Sequence, residues 1–395
     1  MGILPALLKI TFFAVAIPTT IYFSVLGLLV TVPALQNHVF YLHRVTLTWF
    51  RDLNVPESFG FLPNQVTPFP IRTADGETLH AWHVLPLDLY RHHQRELLAQ
   101  PSGFAPDISS RLNFQLLRDD PDARLVIYFH GTAGTLGSGW RPDSYRALYS
   151  AAPEKIHILT ADYRGYGRSS GTPSEEGLLL DAIAITEWAI KVAGIPASRI
   201  VVFAQSLGTA VAISTVRHFA IQSPPVSFAG LVLVASFPDV ATLLGTYRVA
   251  GVIPVLSPLS RLPRLLGFFT GFLTNTWRSD HRIAEFVRRS EKYHVTFIHA
   301  ADDADIPYIH TEDLYWHAVN ATTTTGMSYE ELEQEKAMKR TDLGPGGSVM
   351  EWQTSKGVIR EEIPKYGVHD RVMAYPVTAL AVLRAFQDAD PEFAN

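Results

Sequence analysis

The hydrophobic positions of this chain fall into two regimes. The first is one uninterrupted block: from Ile10 to Leu35, 26 residues, no charged side chain occurs. At about 1.5 Å of rise per residue, that length crosses a hydrocarbon core of about 30 Å. Pro18 lies inside the block, as membrane helices tolerate. Tyr22 and Tyr41 are candidates for interfacial positions. A cleaved secretory signal carries a much shorter apolar region, about 7–15 residues. The block therefore reads as an uncleaved transmembrane signal anchor over residues 1–36, followed by a juxtamembrane segment over 37–66. Lys9 on one side and Arg44 and Arg51 on the other barely discriminate its orientation.

The second regime occupies 67–395. Leu79 to Leu85 reads as a strand introduced by the turn Asp75-Gly76. Residues 88–122 are polar and read as a solvated insertion or helix. From Leu125 onward, short apolar runs recur: Leu125–Phe129, Ile156–Ala161, Ile200–Ala204, Leu231–Ala235 and Val295–Ile298. Helical stretches separate them. One starts at Thr172-Pro173-Ser174-Glu175, with Thr172 as the expected N-cap. Continuous apolar strands alternating with helices predict an α/β fold: a mostly parallel sheet covered on both faces. Residues 237–290 interrupt the alternation with dense Leu, Val and Phe broken by Pro254, Pro258 and Pro263. They read as an apolar helical cap or as additional core helices. Residues 311–358 read as a second, polar insertion, with a capping box from Ser328 to Glu331.

Composition narrows the partners. The 395 residues carry a net charge of −5 with no basic block, which disfavours nucleic acid. The absence of cysteine excludes disulfides, thiolate metal sites and a cysteine nucleophile. No obligatory protein partner is evident.

The decisive chemistry lies at Val201-Val202-Phe203-Ala204-Gln205-Ser206-Leu207-Gly208-Thr209-Ala210. An apolar strand runs into a small–x–Ser–x–small element and then into a helix of small residues. A sharp strand-to-helix turn there lifts the Ser206 hydroxyl out of the sheet as a nucleophile. Ala204 stands where the usual pattern has glycine. Its methyl is compatible with the turn if its φ stays negative. After the Leu125 strand comes His130-Gly131-Thr132-Ala133-Gly134. This loop predicts an oxyanion hole from the backbone N–H of Thr132 together with that of Leu207; His130 itself reads as structural. Asp162-Tyr163-Arg164-Gly165-Tyr166-Gly167-Arg168-Ser169 also reads as a structural turn. The acid is expected after a later strand, in His299-Ala300-Ala301-Asp302-Asp303-Ala304-Asp305-Ile306-Pro307. Asp303 is chosen by its distance from Pro307, with Asp302 its closest competitor and Asp239 an outside candidate. The base is expected near the C-terminus, where His369 is the only histidine after position 317. Gly357–Arg360 precedes it as the expected last strand, and a helix over Pro376–Phe386 closes the chain. The order Ser206, Asp303, His369 is the one this fold requires. The chemistry needs no cofactor and no metal.

These motifs resemble those of the α/β-hydrolases. With the N-terminal anchor, the chain is similar to membrane-anchored monoacylglycerol and lysophosphatidylserine lipases and their fungal relatives. The resemblance implies hydrolysis of lipid esters at the endoplasmic reticulum membrane, with a lumenal catalytic domain. The sequon Asn320-Ala321-Thr322 suits that side of the membrane. Ala204 and the 311–358 insertion depart from the family pattern. An acyl-protein thioesterase, or an inactive hydrolase fold serving as a membrane scaffold in cell morphogenesis, are the alternative functions.

Overall fold

A computed structural model describes residues 3–249 and 251–393. The limits at 1 and 395 of the expected segments lie outside the described residues.

Twelve strands lie among the described residues: β1 Val66–Arg72, β2 Thr78–Val84, β3 Arg124–Phe129, β4 Ile156–Ala161, β5 Ile200–Gln205, β6 Gly230–Val234, β7 Arg248–Val249, β8 Ile253–Pro254, β9 Tyr293–Ile298, β10 Thr341–Asp342, β11 Ser348–Thr354 and β12 Gly357–Ile363. Ten of them form one sheet in the order β1-β2-β4-β3-β5-β6-β9-β12-β11-β10, while β7 and β8 pair separately. The six strands from β4 across to β12 run parallel, and the outer pairings are antiparallel.

The parallel strands are buried on both faces, so they read as continuous apolar runs. Alternate residues still divide between two cores. Val202 and Ala204 join one cluster, with the helices Glu175–Glu187, Leu207–Ala220, Ser279–Arg289 and Ile309–Asn320. Val201 and Phe203 join the other, with the helices Arg141–Tyr149 and Pro376–Ala389. The fold is thus a three-layer α/β sandwich, as the alternation of runs implies.

The structure adds to or departs from several expectations. β1 carries Pro68 and Pro70, which the ladder tolerates because this is an edge strand. The helix expected to be capped by Thr172 is capped two residues later: Ser174 Oγ accepts from the Gly177 amide at 3.0 Å. The segment 237–290 divides. Val240–Thr246, β7–β8 and Pro263–Thr270 lie over the strand ends as a cap, whereas Ser279–Arg289 packs against the sheet-covering helix Leu207–Ala220. Within 311–358, Leu314, Tyr315, Ala318 and Val319 are buried in the core, and β10 and β11 prolong the sheet. The Ser328–Glu331 capping box forms in full.

Most of the apolar block lies in one helix, α1, Ile3–Thr31, which runs through Pro18; its last residues, from Pro33, open a second helix. Thr11–Thr31 is long and apolar enough to cross a membrane. Helix α2, Pro33–Tyr41, follows, and its last carbonyls meet the loop after β3.

Candidate active site

Ser206 sits between β5 and the helix Leu207–Ala220 with φ 53° and ψ −124°. A non-glycine residue at such angles is strained, and the surrounding packing holds it there. Its amide donates to Val234 O at 2.9 Å. Gly208 is required: a Cβ there would fall 2.1 Å from Phe129 O. Ala204 lies fully inside β5, paired with Phe129 and Leu233, and is absent from the residues with positive φ. The left-handed angle falls on Ser206, so the methyl of Ala204 is accommodated without strain.

The loop after β3 presses on this turn. A Cβ on Gly131 would lie 2.4 Å from Gln205 Oε1 and 3.1 Å from Ser206 Cβ. The amides of Thr132 and Leu207 donate no hydrogen bond among the described residues. For Leu207, as the first residue of a helix, this is the rule. Thr132, Ser206 and Leu207 line one cavity of about 170 Å³, whose walls are otherwise nearly all apolar.

Two features hold the loop open. Arg141, buried under it, donates to the carbonyls of Gly131 at 3.0 Å, Thr132 at 3.2 Å, Ala133 at 2.9 Å and Thr135 at 2.5 Å. By drawing the carbonyls to one side, the guanidinium leaves the amides on the other. From the opposite side Thr132 Oγ1 donates to Phe40 O and Tyr41 O at 2.8 and 2.9 Å, so the end of α2 buttresses the loop. The Asp162–Ser169 turn completes the support. Asp162 accepts from the Leu136 amide at 2.7 Å and Tyr163 Oη donates to His130 O at 3.0 Å. His130 is buried and its pKa is lowered by desolvation, in keeping with a structural residue.

The three candidate acids are placed differently. Asp303 Oδ2 accepts from His369 Nδ1 at 2.7 Å and from His299 Nε2 at 3.1 Å. Its Oδ1 accepts from the amides of Asp305 and Ile306, both at 2.9 Å. Asp302 instead accepts from the Val368 amide at 2.8 Å, and Asp239 caps the helix Val240–Thr246. Burial alone would raise the Asp303 pKa, but the hydrogen bonds from His299 and His369 outweigh it and hold it well below the usual carboxylate range. On His369, burial disfavours the cation, yet the hydrogen bond to Asp303 and the nearby charges of Asp303, Asp370 and Asp305 push the pKa up to about 9.

The structure brings Asp303, after β9, and His369, after β12, into contact and ties the His369 segment to the Ser206 turn. Gln205 Nε2 donates to His369 O at 3.3 Å and to Asp370 Oδ1 at 3.4 Å. No hydrogen bond joins the Ser206 hydroxyl to the His369 ring. Sequence reasoning assigned no role to His299, Arg141 or Gln205. His299 had a signal, four residues before Asp303 at the end of a strand. Arg141 had none, since only the fold returns its side chain to a loop ten residues earlier.

The Alpha/beta hydrolase family model matches residues 126–351, from β3 to β11. The chain belongs to the alpha/beta hydrolase family. A lysophosphatidylserine lipase, ABHD12, of Danio rerio is 27% identical over 308 residues, covering 78% of this chain and 72% of the relative. That of Gallus gallus is 26% identical over 331 residues, covering 82% and 76%. Among solved structures, an alpha-beta hydrolase from Vibrio vulnificus superposes with a TM-score of 0.55 at 14% identity, covering 89% of this hydrolase and 93% of that chain. At that identity the likeness concerns the fold.

Proposed function

We propose that this hydrolase is a membrane-anchored serine esterase that cleaves lipid carboxylic esters, monoacylglycerols or lysophospholipids, through an acyl-enzyme on Ser206. The observation that carries the reading is the company kept by the strained Ser206: two unpartnered amides beside it, an apolar cavity in front of it, and an Asp303–His369 pair brought together from the loops after β9 and β12. The names of the curated relatives support the lysophospholipid branch.

In this mechanism His369 takes the Ser206 proton as the hydroxyl attacks the ester carbonyl. Asp303 fixes the ring tautomer and stabilises the imidazolium. The amides of Thr132 and Leu207 stabilise the oxyanion, each worth about 10²–10³ in rate. His369 then protonates the leaving alcohol and activates the water that releases the acid. The Ser206–His369 hydrogen bond, open here, forms when substrate closes the site, as is common for unliganded enzymes. Helix α1 serves as the anchor, and the domain faces the lumen of the endoplasmic reticulum.

The test is release of fatty acid from lysophosphatidylserine and monoacylglycerol by the purified full chain in mixed micelles. The reading expects turnover that Ser206→Ala abolishes. Turnover of neither lipid, or turnover unaffected by Ser206→Ala, overturns it. Alkaline carbonate extraction of membranes tests the anchor: the protein should stay with the pellet.

A further inference from the structure

The cavity in front of Ser206 is not closed by the hydrolase domain alone. Ser206, Leu207 and Thr132 line it, and so do Leu26, Leu29 and Val30 of α1. An anchor needs only to be long and apolar. Here one face of the anchor is committed to the cap. Tyr22, Leu26 and Leu29 follow one another at helical spacing and pack with Leu256, Leu259 and Phe269. Tyr22 Oη donates to Val255 O at 2.9 Å. Leu26 is 6% exposed, whereas Leu28, on another face of the same turn, is 50% exposed. The joint between α1 and α2 is clamped as well: Gln36 Nε2 donates to Leu29 O and to Phe272 O, each at 2.9 Å. The helix is therefore held in one rotation relative to the cap.

We propose that the Leu26–Val30 turn of α1 forms part of the substrate site, and that a long acyl chain enters between α1 and the cap directly from the bilayer. The proposal rests on the reading of Ser206 as nucleophile. Its physical basis is continuity. An acyl tail already among lipid tails beside α1 meets apolar walls from Leu26 to Ser206 and never has to be drawn through water, a transfer opposed in proportion to every methylene exposed. The ester then arrives at Ser206 with its tail on the α1 side, and the head group remains toward the polar loops of Asp302 and His369. A second consequence is specificity: the tail must be long enough to reach α1 to benefit from it.

The experiment uses the full chain in nanodiscs. Leu29→Trp and Val30→Trp fill the α1 wall, and Leu28→Trp on the outward face is the control. The quantity read is the ratio of kcat/KM for a sixteen-carbon ester to that for a four-carbon ester. Filling the wall should lower this ratio about tenfold or more, the scale on which apolar pockets discriminate chain length, while the control matches wild type. In parallel, a monoacylglycerol with a terminal diazirine is photolysed on Ser206→Ala and the adducts are mapped. They should fall on the Leu26–Val30 turn and on Pro263–Thr270, and unlabelled monoacylglycerol should compete them away. An unchanged ratio with adducts elsewhere, or adducts confined to outward residues such as Phe12 and Phe13, overturns the acyl site even if catalysis stands. Adducts in the expected place with no ester hydrolysed would instead retain the acyl site and overturn the catalytic reading.

Discussion

Replacing Arg141 by Met keeps the bulk of a buried side chain and removes its guanidinium. Four hydrogen bonds to loop carbonyls go with it. They do not all count equally. Gly131 O also receives His130 Nδ1 at 2.8 Å, and Thr135 O receives the Ser138 amide at 2.9 Å. Thr132 O and Ala133 O lose their donor. Hydrogen bonds from charged groups contribute about 1.5–3 kcal/mol each. Both carbonyls belong to half-buried residues that water can reach in the variant, so a loss of about 2–3 kcal/mol in stability is expected. Catalysis should suffer separately. The peptide unit that carries the Thr132 N–H ends in Gly131 O, which in the variant keeps only the His130 Nδ1 contact, so the donor is less firmly aimed, and the loss of one oxyanion donor costs about 10² or more in kcat. KM should change little, because the donor acts on charge that develops only in the transition state. The assay is steady-state kinetics on a short-chain ester alongside thermal unfolding. Arg141→Lys, which restores charge but not the fork, should fall between the two. A folded Arg141→Met enzyme with kcat within about threefold of wild type, less than 1 kcal/mol of barrier, would refute the reasoning.

Further outcomes follow from the same geometry. Asp303→Asn should lower kcat by about 10⁴ through loss of the ring tautomer, while Asp302→Asn, which touches only the Val368 amide, should cost far less; kinetics of both variants decide this. The pH profile of kcat/KM should rise with pH to half-maximum near 9, because only neutral His369 acts as base and its pKa is pushed up to about 9. In Asp303→Asn the hydrogen bond and charge of Asp303 are gone while burial and the lesser charges of Asp370 and Asp305 remain, so any residual activity should titrate below the wild-type value of about 9. Ala204→Gly should leave the rate nearly unchanged and lower stability by about 0.5–1 kcal/mol, the cost of glycine inside a strand, read by denaturant titration. Gly208→Ala should abolish activity, since its methyl meets Phe129 O.

The layered fold was legible because its signal is local. Each parallel strand is a short apolar run, and each run's edges are marked by turn residues. The catalytic candidates were legible because their types are rare where they stand: one serine at a strand-to-helix turn, one late histidine. What the sequence concealed has a common cause. β1 hides behind two prolines whose missing amides matter only if the strand is interior. β11, next to the short edge strand β10, is half-exposed, so 311–358 read as polar rather than as sheet. The supports of the Thr132 loop come from Arg141 and from the carbonyls of Phe40 and Tyr41. Backbone carbonyls carry no sequence signature, and their partners are chosen by tertiary approach. The engagement of α1 with the cap was invisible for a related reason: every face of that helix is apolar, so no periodicity marks the face that is used.

The central claim is tested most directly by a fluorophosphonate probe, which phosphonylates a serine activated by its neighbours. The full chain should be labelled, the adduct should map to Ser206 by peptide mass, and Ser206→Ala should be blank. A wild-type chain that is not labelled, or a Ser206→Ala chain labelled as strongly as wild type, would contradict the account.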